Sequence, residues 1–178
     1  GFKQTARIIF DYVCEIIGAT AGYVALLTPD GMENEVLFLE AGGQPCSVDP
    51  ELPMPIRGLR EESYKHNITV YDNNFGKSKY MEFMPDGHVP LKNVMFAPLV
   101  IHNKTVGIIG IANKPSDFTP RDADIATIFG ELASIALYNS RNLEKLQLTL
   151  HRLEKTLAEV KELRGILPIC AQCKSIRD

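Results

Sequence analysis

The sequence predicts an α+β fold: a twisted antiparallel sheet of five or six strands flanked by helices, with a long C-terminal helix. Three observations lead there. An amphipathic helical period opens the chain, carrying Ala6, Ile9, Phe10, Val13, Ile16 and Ile17. Two pairs of apolar runs then flank short turn signals, the mark of β-hairpins. From Thr119 a helical pattern persists for about 45 residues, far above the globular mean of roughly 12.

Each element has a local reason. The first helix covers Phe2 to Ile17, and Gly18 after it is a C-cap. Tyr23–Leu27 and Val36–Leu39 are strands around a Pro29-Asp30-Gly31 turn. Residues 44–55 hold four prolines and read as loop. Ile56 to His66 is weakly helical, and Ile68–Tyr71 is a short strand. Residues 72–90 are polar, with Gly, Pro and aromatic side chains; loops of that length are often functional lids. Asn93–Ile101 and Val106–Ala112 are apolar runs rich in β-branched residues, around a His102-Asn103-Lys104 turn. Thr119 with Asp122 three residues on is a capping arrangement, and Pro120 sits at the first helical position.

Composition narrows the class. A chain of 178 residues accommodates one domain with a full core and an appendage. Its net charge of −3 supplies no basic footprint for nucleic acid. No apolar run reaches the roughly 18 residues of a membrane span, and the first residues mix charge with apolar positions, unlike a signal peptide. Of the four cysteines, Cys14 and Cys46 are scattered and Cys170 and Cys173 form one C-x-x-C, which is no secreted disulfide framework. A cytoplasmic location without membrane contact is expected. The C-x-x-C stands at the end of the sequence with no turn or cap signal after it, so the chain is expected to be part of a longer protein.

The long helix needs a partner beyond one small domain. Leu143, Leu146, Leu150, Leu153, Leu157 and Val160 recur at alternating steps of three and four, a heptad seam. The next step would fall on Arg164, but Leu163 and Leu167 take the stripe one residue early, a stammer-like slip. A dimeric coiled coil over residues 143–165 is expected, in a parallel homodimer with the first helix beside the long one at the interface. The division is 1–142 for the folded domain, 143–165 for the coil and 166–178 for the start of a C-x-x-C module.

The stretch Ala97 to Leu137, APLVIHNKTVGIIGIANKPSDFTPRDADIATIFGELASIAL, resembles the closing half of a GAF domain: a strand, a tight turn, a Gly-rich strand, then F-T-x-x-D opening a helix. The resemblance covers about Phe2 to Tyr138. Pro85-Asp86-Gly87-His88-Val89-Pro90, with Asn93, Pro98 and Asn113-Lys114-Pro115, resembles a subgroup found in bacterial sensor histidine kinases and related signalling proteins. The resemblance implies a small-molecule sensor without enzymatic activity, passing its signal through a dimeric helix to an output domain in the same polypeptide. A ligand-free dimerisation module and a cyclic-nucleotide-binding domain are the alternatives.

Candidate site residues follow. In the GAF fold the long loop roofs the ligand site, which selects Asn73, Asn74, Tyr80, Phe83 and His88. Met95 or Phe96 on the strand behind should point inward, with the register open. Asn113, Lys114, Phe118 and Asp122 match the N-K-x(n)-F-x3-D-E signature of cyclic-nucleotide-binding GAF domains, except that Ala123 replaces the last acid. Lys114 and Asp122 are expected to pair across their loop and pin it. Cys170 and Cys173 supply half of a zinc site in the intact protein, or a redox pair. His66, His88, His102 and His151 show no ligand spacing, and His151 reads as a solvated coil position. No G-x-S-x-G or P-loop occurs. Haem or bilin is a further family possibility, though neither Cys14 nor Cys46 stands where a bilin thioether is expected.

Overall fold

A computed structural model describes residues 1–45, 47–49 and 52–166, with side chains through residue 162. The C-x-x-C and the step at Leu167 lie outside the described residues, as does the side chain of Leu163. The chain divides into two compact units, Gly1–Tyr138 and Asn139–Asp178.

The first unit opens with α1 (Phe2–Ile17), closed by Gly18 in the left-handed region. Strands β1 (Ala21–Leu27) and β2 (Asn34–Glu40) form the first hairpin. Helix α2 (Leu59–His66) and β3 (Val70–Asp72) follow. Residues 72–90, expected as loop, contain two 3-10 turns, Phe75–Lys77 and Lys79–Phe83. Strands β4 (Val94–Ile101) and β5 (Lys104–Ala112) make the second hairpin. Its turn is tighter than the expected three residues: His102 and Asn103 alone take positive φ, and Lys104 already pairs with Ile101. Helix α3 spans Pro120–Ile166 and crosses from the first unit into the second.

The sheet has five strands in the order β2-β1-β5-β4-β3, every pairing antiparallel. Alternation sorts its side chains onto two faces. On the helix face, Val24, Met95, Ala97, Leu99, Ile109 and Ile111 are buried in one core with Ala6, Phe10, Val13 and Ile17 of α1 and Ala126, Ala133 and Leu137 of α3. Each of the larger side chains contributes about 1.5–3 kcal/mol by leaving water. Gly130 permits the close fit: a Cβ there would stand 2.6 Å from the Pro98 carbonyl oxygen, so α3 rests directly on the backbone of β4.

The start of α3 is fixed more firmly than its cap alone requires. Asp122 Oδ2 accepts from the Thr119 N–H at 2.7 Å, the Thr119 hydroxyl at 2.8 Å and Lys114 Nζ at 2.6 Å. Burial raises the Asp122 pKa, but the hydrogen bonds from Lys114 and Thr119 outweigh it and hold the carboxyl below its usual range. The segment leading into the helix is also clamped. Asn93 Nδ2 donates to the Lys114 and Ser116 carbonyls, and Asn73 exchanges two hydrogen bonds with the Phe118 backbone.

In the second unit, α3 leaves large apolar side chains exposed: Leu143, Leu146, Leu150, Leu153, Leu157 and Val160 along the heptad seam, and Leu148 off it. Among the described residues no helix is long and apolar enough to cross a membrane.

Candidate functional site

The other face of the sheet, the loop face, carries the candidate site. Its floor is set by register: Tyr23 of β1 and Phe96 of β4 both stand opposite Gly110 of β5. With no side chain between them the two rings lean over the central strand, their centroids 6.4 Å apart. A Cβ on Gly110 would come within 2.9 Å of the Tyr23 ring and 3.1 Å of the Phe96 ring.

Helix α2 forms one wall. Arg60 donates from Nη1 to the Tyr23 hydroxyl at 3.3 Å and from Nε to the Arg57 carbonyl at 3.3 Å. Tyr64 reaches across to the sheet edge and donates to Asn34 Oδ1. Burial pushes the Tyr64 phenol far above its ordinary pKa, so it remains a donor. Asn34 Nδ2 is buried without an acceptor among the described residues. The roof comes from the long loop. Tyr80 and Met84 pack, with Phe96, against Phe75, Val94, Ala21 and Ala112. Gly58, at φ +72°, lies against Tyr80 and Phe83, and Arg57 covers the Phe83 ring at 5.4 Å.

The sequence-predicted residues divide accordingly. Tyr80 and Phe96 pack into one cluster on the loop face, and Phe83 lies beside Gly58 under Arg57. Met95 does not: it is wholly buried on the helix face, because Phe96 pairs with Gly110 and alternation turns its neighbour away. Asn73 is committed to the Phe118 backbone, and Asn74 is exposed at the start of a 3-10 turn. His88 is half-buried, with Nδ1 on the Val89 carbonyl 2.8 Å away. Asn113 braces the loop before β4 by bonding the Lys92 N–H and the Pro90 carbonyl. Lys114 and Asp122 form the expected ion pair, and Phe118 is buried in the core beside Tyr71. Sequence reasoning missed Tyr23, Arg60, Tyr64 and Asn34. Tyr23 had a signal, its place in an alternating strand opposite a Gly-rich one; the other three had none.

Two ties lead from the far end of α2 to α3. Asn67, the left-handed C-cap of α2, donates to the Asn103 carbonyl at 3.2 Å and accepts from the Thr105 hydroxyl at 2.7 Å. The same hairpin turn carries His102, whose ring meets Tyr138 of α3 edge-on. Just beyond Asn67, the Thr69 hydroxyl bonds the Thr127 hydroxyl of α3 at 2.7 Å.

A five-stranded antiparallel sheet with helices from both ends of the domain on one face, and a short helix and braced loop on the other, defines an α+β domain with a helix-covered core face and a loop-covered second face. The family model of the GAF domain matches residues 1–137, and the chain belongs to that family. Its fold is similar to the GAF domain of an Acinetobacter phosphoenolpyruvate-protein phosphotransferase, at 17% identity over 80% of this chain and 85% of that one, with a TM-score of 0.66. It is also similar to a domain of a putative two-component sensor histidine kinase protein from Sinorhizobium meliloti 1021, at 12% identity over 83% and 97%, TM-score 0.59. The blue-light absorbing form of the Thermosynechococcus elongatus PixJ GAF domain matches at 16% identity over 84% and 94%, TM-score 0.60. At these identities the likeness is one of fold. No curated protein matches the chain significantly.

Proposed function

We propose that this domain is a non-enzymatic cytoplasmic sensor: a small molecule binds on the loop face, and the response passes through α3 to an output domain in the same polypeptide. The observation that carries the reading is the continuous line of contact from α2, whose Arg60 and Tyr64 wall the site, through Asn67 and the β4–β5 turn to Tyr138. A ligand that binds one position of α2 better than another biases whatever α2 holds.

A homodimer is the expected receiver. In the first unit α1 exposes Ile8, Tyr12 and Ile16, and α3 exposes Ile128, Leu132 and Ile135, each more than 45% accessible. Such spacing puts each trio on one side of its helix. The second unit exposes its own leucine seam, whose alternating steps suit a parallel two-stranded coil. Zinc at Cys170 and Cys173, completed by a second cysteine pair, belongs to the same reading of the intact protein.

The packing of Tyr80, Met84 and Phe96 favours a second reading, a dimerisation domain whose loop face is closed by its own side chains. A cyclic-nucleotide site finds less support, since Lys114 and Asp122 are spent on each other. Thermal unfolding of residues 1–178 against a library of small metabolites, with cAMP and cGMP included, separates the three. A rise in Tm for a non-nucleotide compound supports sensing, a rise for either nucleotide supports the nucleotide site, and a flat response throughout supports the closed module.

A further inference from the structure

We infer that the ligand of the loop face is a small organic anion with a flat apolar body, in chemical class an aryl carboxylate, held by Arg60 and Tyr23 beside the Phe96 ring. This rests on the sensing reading above and names the ligand class for the same site.

The first observation is a cation without a counter-ion. Arg60 is half-buried, and its neutral partners are the Tyr23 hydroxyl and the Arg57 carbonyl. Among the described residues no carboxylate pairs with it; the two acids beside it on α2 go elsewhere, Glu61 to Lys65 and Glu62 to His66. A guanidinium drawn partly out of water without an opposite charge is costly, and it is relieved by an acceptor that brings negative charge.

The second observation is that the spare hydrogen-bonding capacity here is on donors. Tyr23 accepts from Arg60, which leaves its own O–H to give. Asn34 Nδ2 also has no acceptor among the described residues, but Asn34 pairs with Leu27, about 13 Å along β1 from Tyr23, and belongs to the far end of the same face. A carboxylate is acceptor-only, and its two oxygens match the fork of a guanidinium. The tilted Tyr23 and Phe96 rings above Gly110 favour a flat apolar body attached to that anion. A free phosphate would leave these rings without a contact.

The test is titration of residues 1–178 with benzoate, phenylacetate and indole-3-carboxylate, each compared with its primary amide. Affinity is read by calorimetry and location by the ring resonances of Tyr23 and Phe96. At least one acid is expected to shift those resonances and to bind about tenfold or more tightly than its amide. Arg60→Met is expected to abolish that advantage and Arg60→Lys to retain part of it, with the wild-type circular dichroism preserved. Equal binding of acid and amide, or an acid preference that survives Arg60→Met, overturns the anion inference and leaves the sensing reading standing. Failure of every acid and amide, while another metabolite raises Tm, also overturns the anion inference alone; a flat response to all compounds sinks both. Should Arg60→Met fail to fold, Tyr23→Phe decides: severalfold weaker acid binding supports the inference, and unchanged binding overturns it.

Discussion

The His102 imidazole stands edge-on to the Tyr138 ring, with centroids 5.6 Å apart and planes at 88°, so the tip of the β4–β5 hairpin touches α3 at the last residue of the first unit. Both side chains are exposed, and the pair is worth about 0.5–1.5 kcal/mol. His102→Ala should therefore lower stability by about 1 kcal/mol and speed amide exchange around Ala133–Tyr138 while leaving β1 unchanged. Identical exchange in both proteins would show that the contact holds nothing.

The Lys114–Asp122 pair should govern acid stability. The Asp122 carboxyl has a folded pKa below its unfolded one, so its contribution is present above the unfolded pKa and is lost as pH falls through the folded pKa. Lys114→Met leaves Asp122 its Thr119 bonds but removes the cation, which should cost about 2–4 kcal/mol and move the acid unfolding midpoint upward. Thermal melts at a series of pH values measure both effects.

Two glycines should respond differently to a methyl group. In Gly110→Ala the new Cβ meets two rings that can rotate, so the cost should be about 1–2 kcal/mol, with an altered near-ultraviolet tyrosine signal. In Gly130→Ala the Cβ meets the Pro98 carbonyl oxygen, which is backbone. The gain of about 1 kcal/mol in helix propensity should be outweighed, and Tm should drop further than for Gly110→Ala. The reverse order would contradict the account of how α3 seats on β4.

Asn34 and Tyr64 should be strongly non-additive. Tyr64→Phe alone strands the Asn34 carboxamide, already short of one acceptor, and should cost about 1–3 kcal/mol. Asn34→Leu combined with Tyr64→Phe removes both polar partners and should be close to neutral. A chemical-denaturation double-mutant cycle gives the coupling directly.

Glutamates placed on the exposed helix faces should dissociate a dimer. Ile8→Glu with Ile135→Glu tests the first unit, and Leu146→Glu with Leu153→Glu tests the coil. Sedimentation equilibrium should report a dimer for the unaltered chain and a loss of association in each variant; a monomer throughout the micromolar range would remove the relay.

The strands were legible because their apolar runs are long, yet β1 starts at Ala21 and β2 at Asn34, outside those runs. Ladder hydrogen bonds set the ends: Ala21 pairs with Ala112 and Asn34 with Leu27. The helix cap and the Lys114–Asp122 pair were legible because their parts lie close in sequence. The candidate site on the loop face was half legible. Tyr80, Phe83 and Phe96 announced themselves as aromatics in or behind a long loop, whereas choosing Phe96 over Met95 needed a register that one strand alone does not carry. The Asn73 clamp spans 45 residues to a backbone group, and nothing in the residue types of Phe118 or Asn73 signals it. Arg60 sits in a polar, weakly helical segment, where it reads as surface charge until α2 is laid on the sheet.

The bracing of α3 at its base has a mechanical consequence. Asn73, Asn93 and Lys114 pin the segment at which the helix begins, while the hairpin meets it at Tyr138, eighteen residues beyond Pro120. That separation is about 27 Å at 1.5 Å per residue. Between those two points Gly130 seats the same helix on the Pro98 carbonyl, so α3 is held at three heights on the sheet and the hairpin tip braces its far end instead of swinging it.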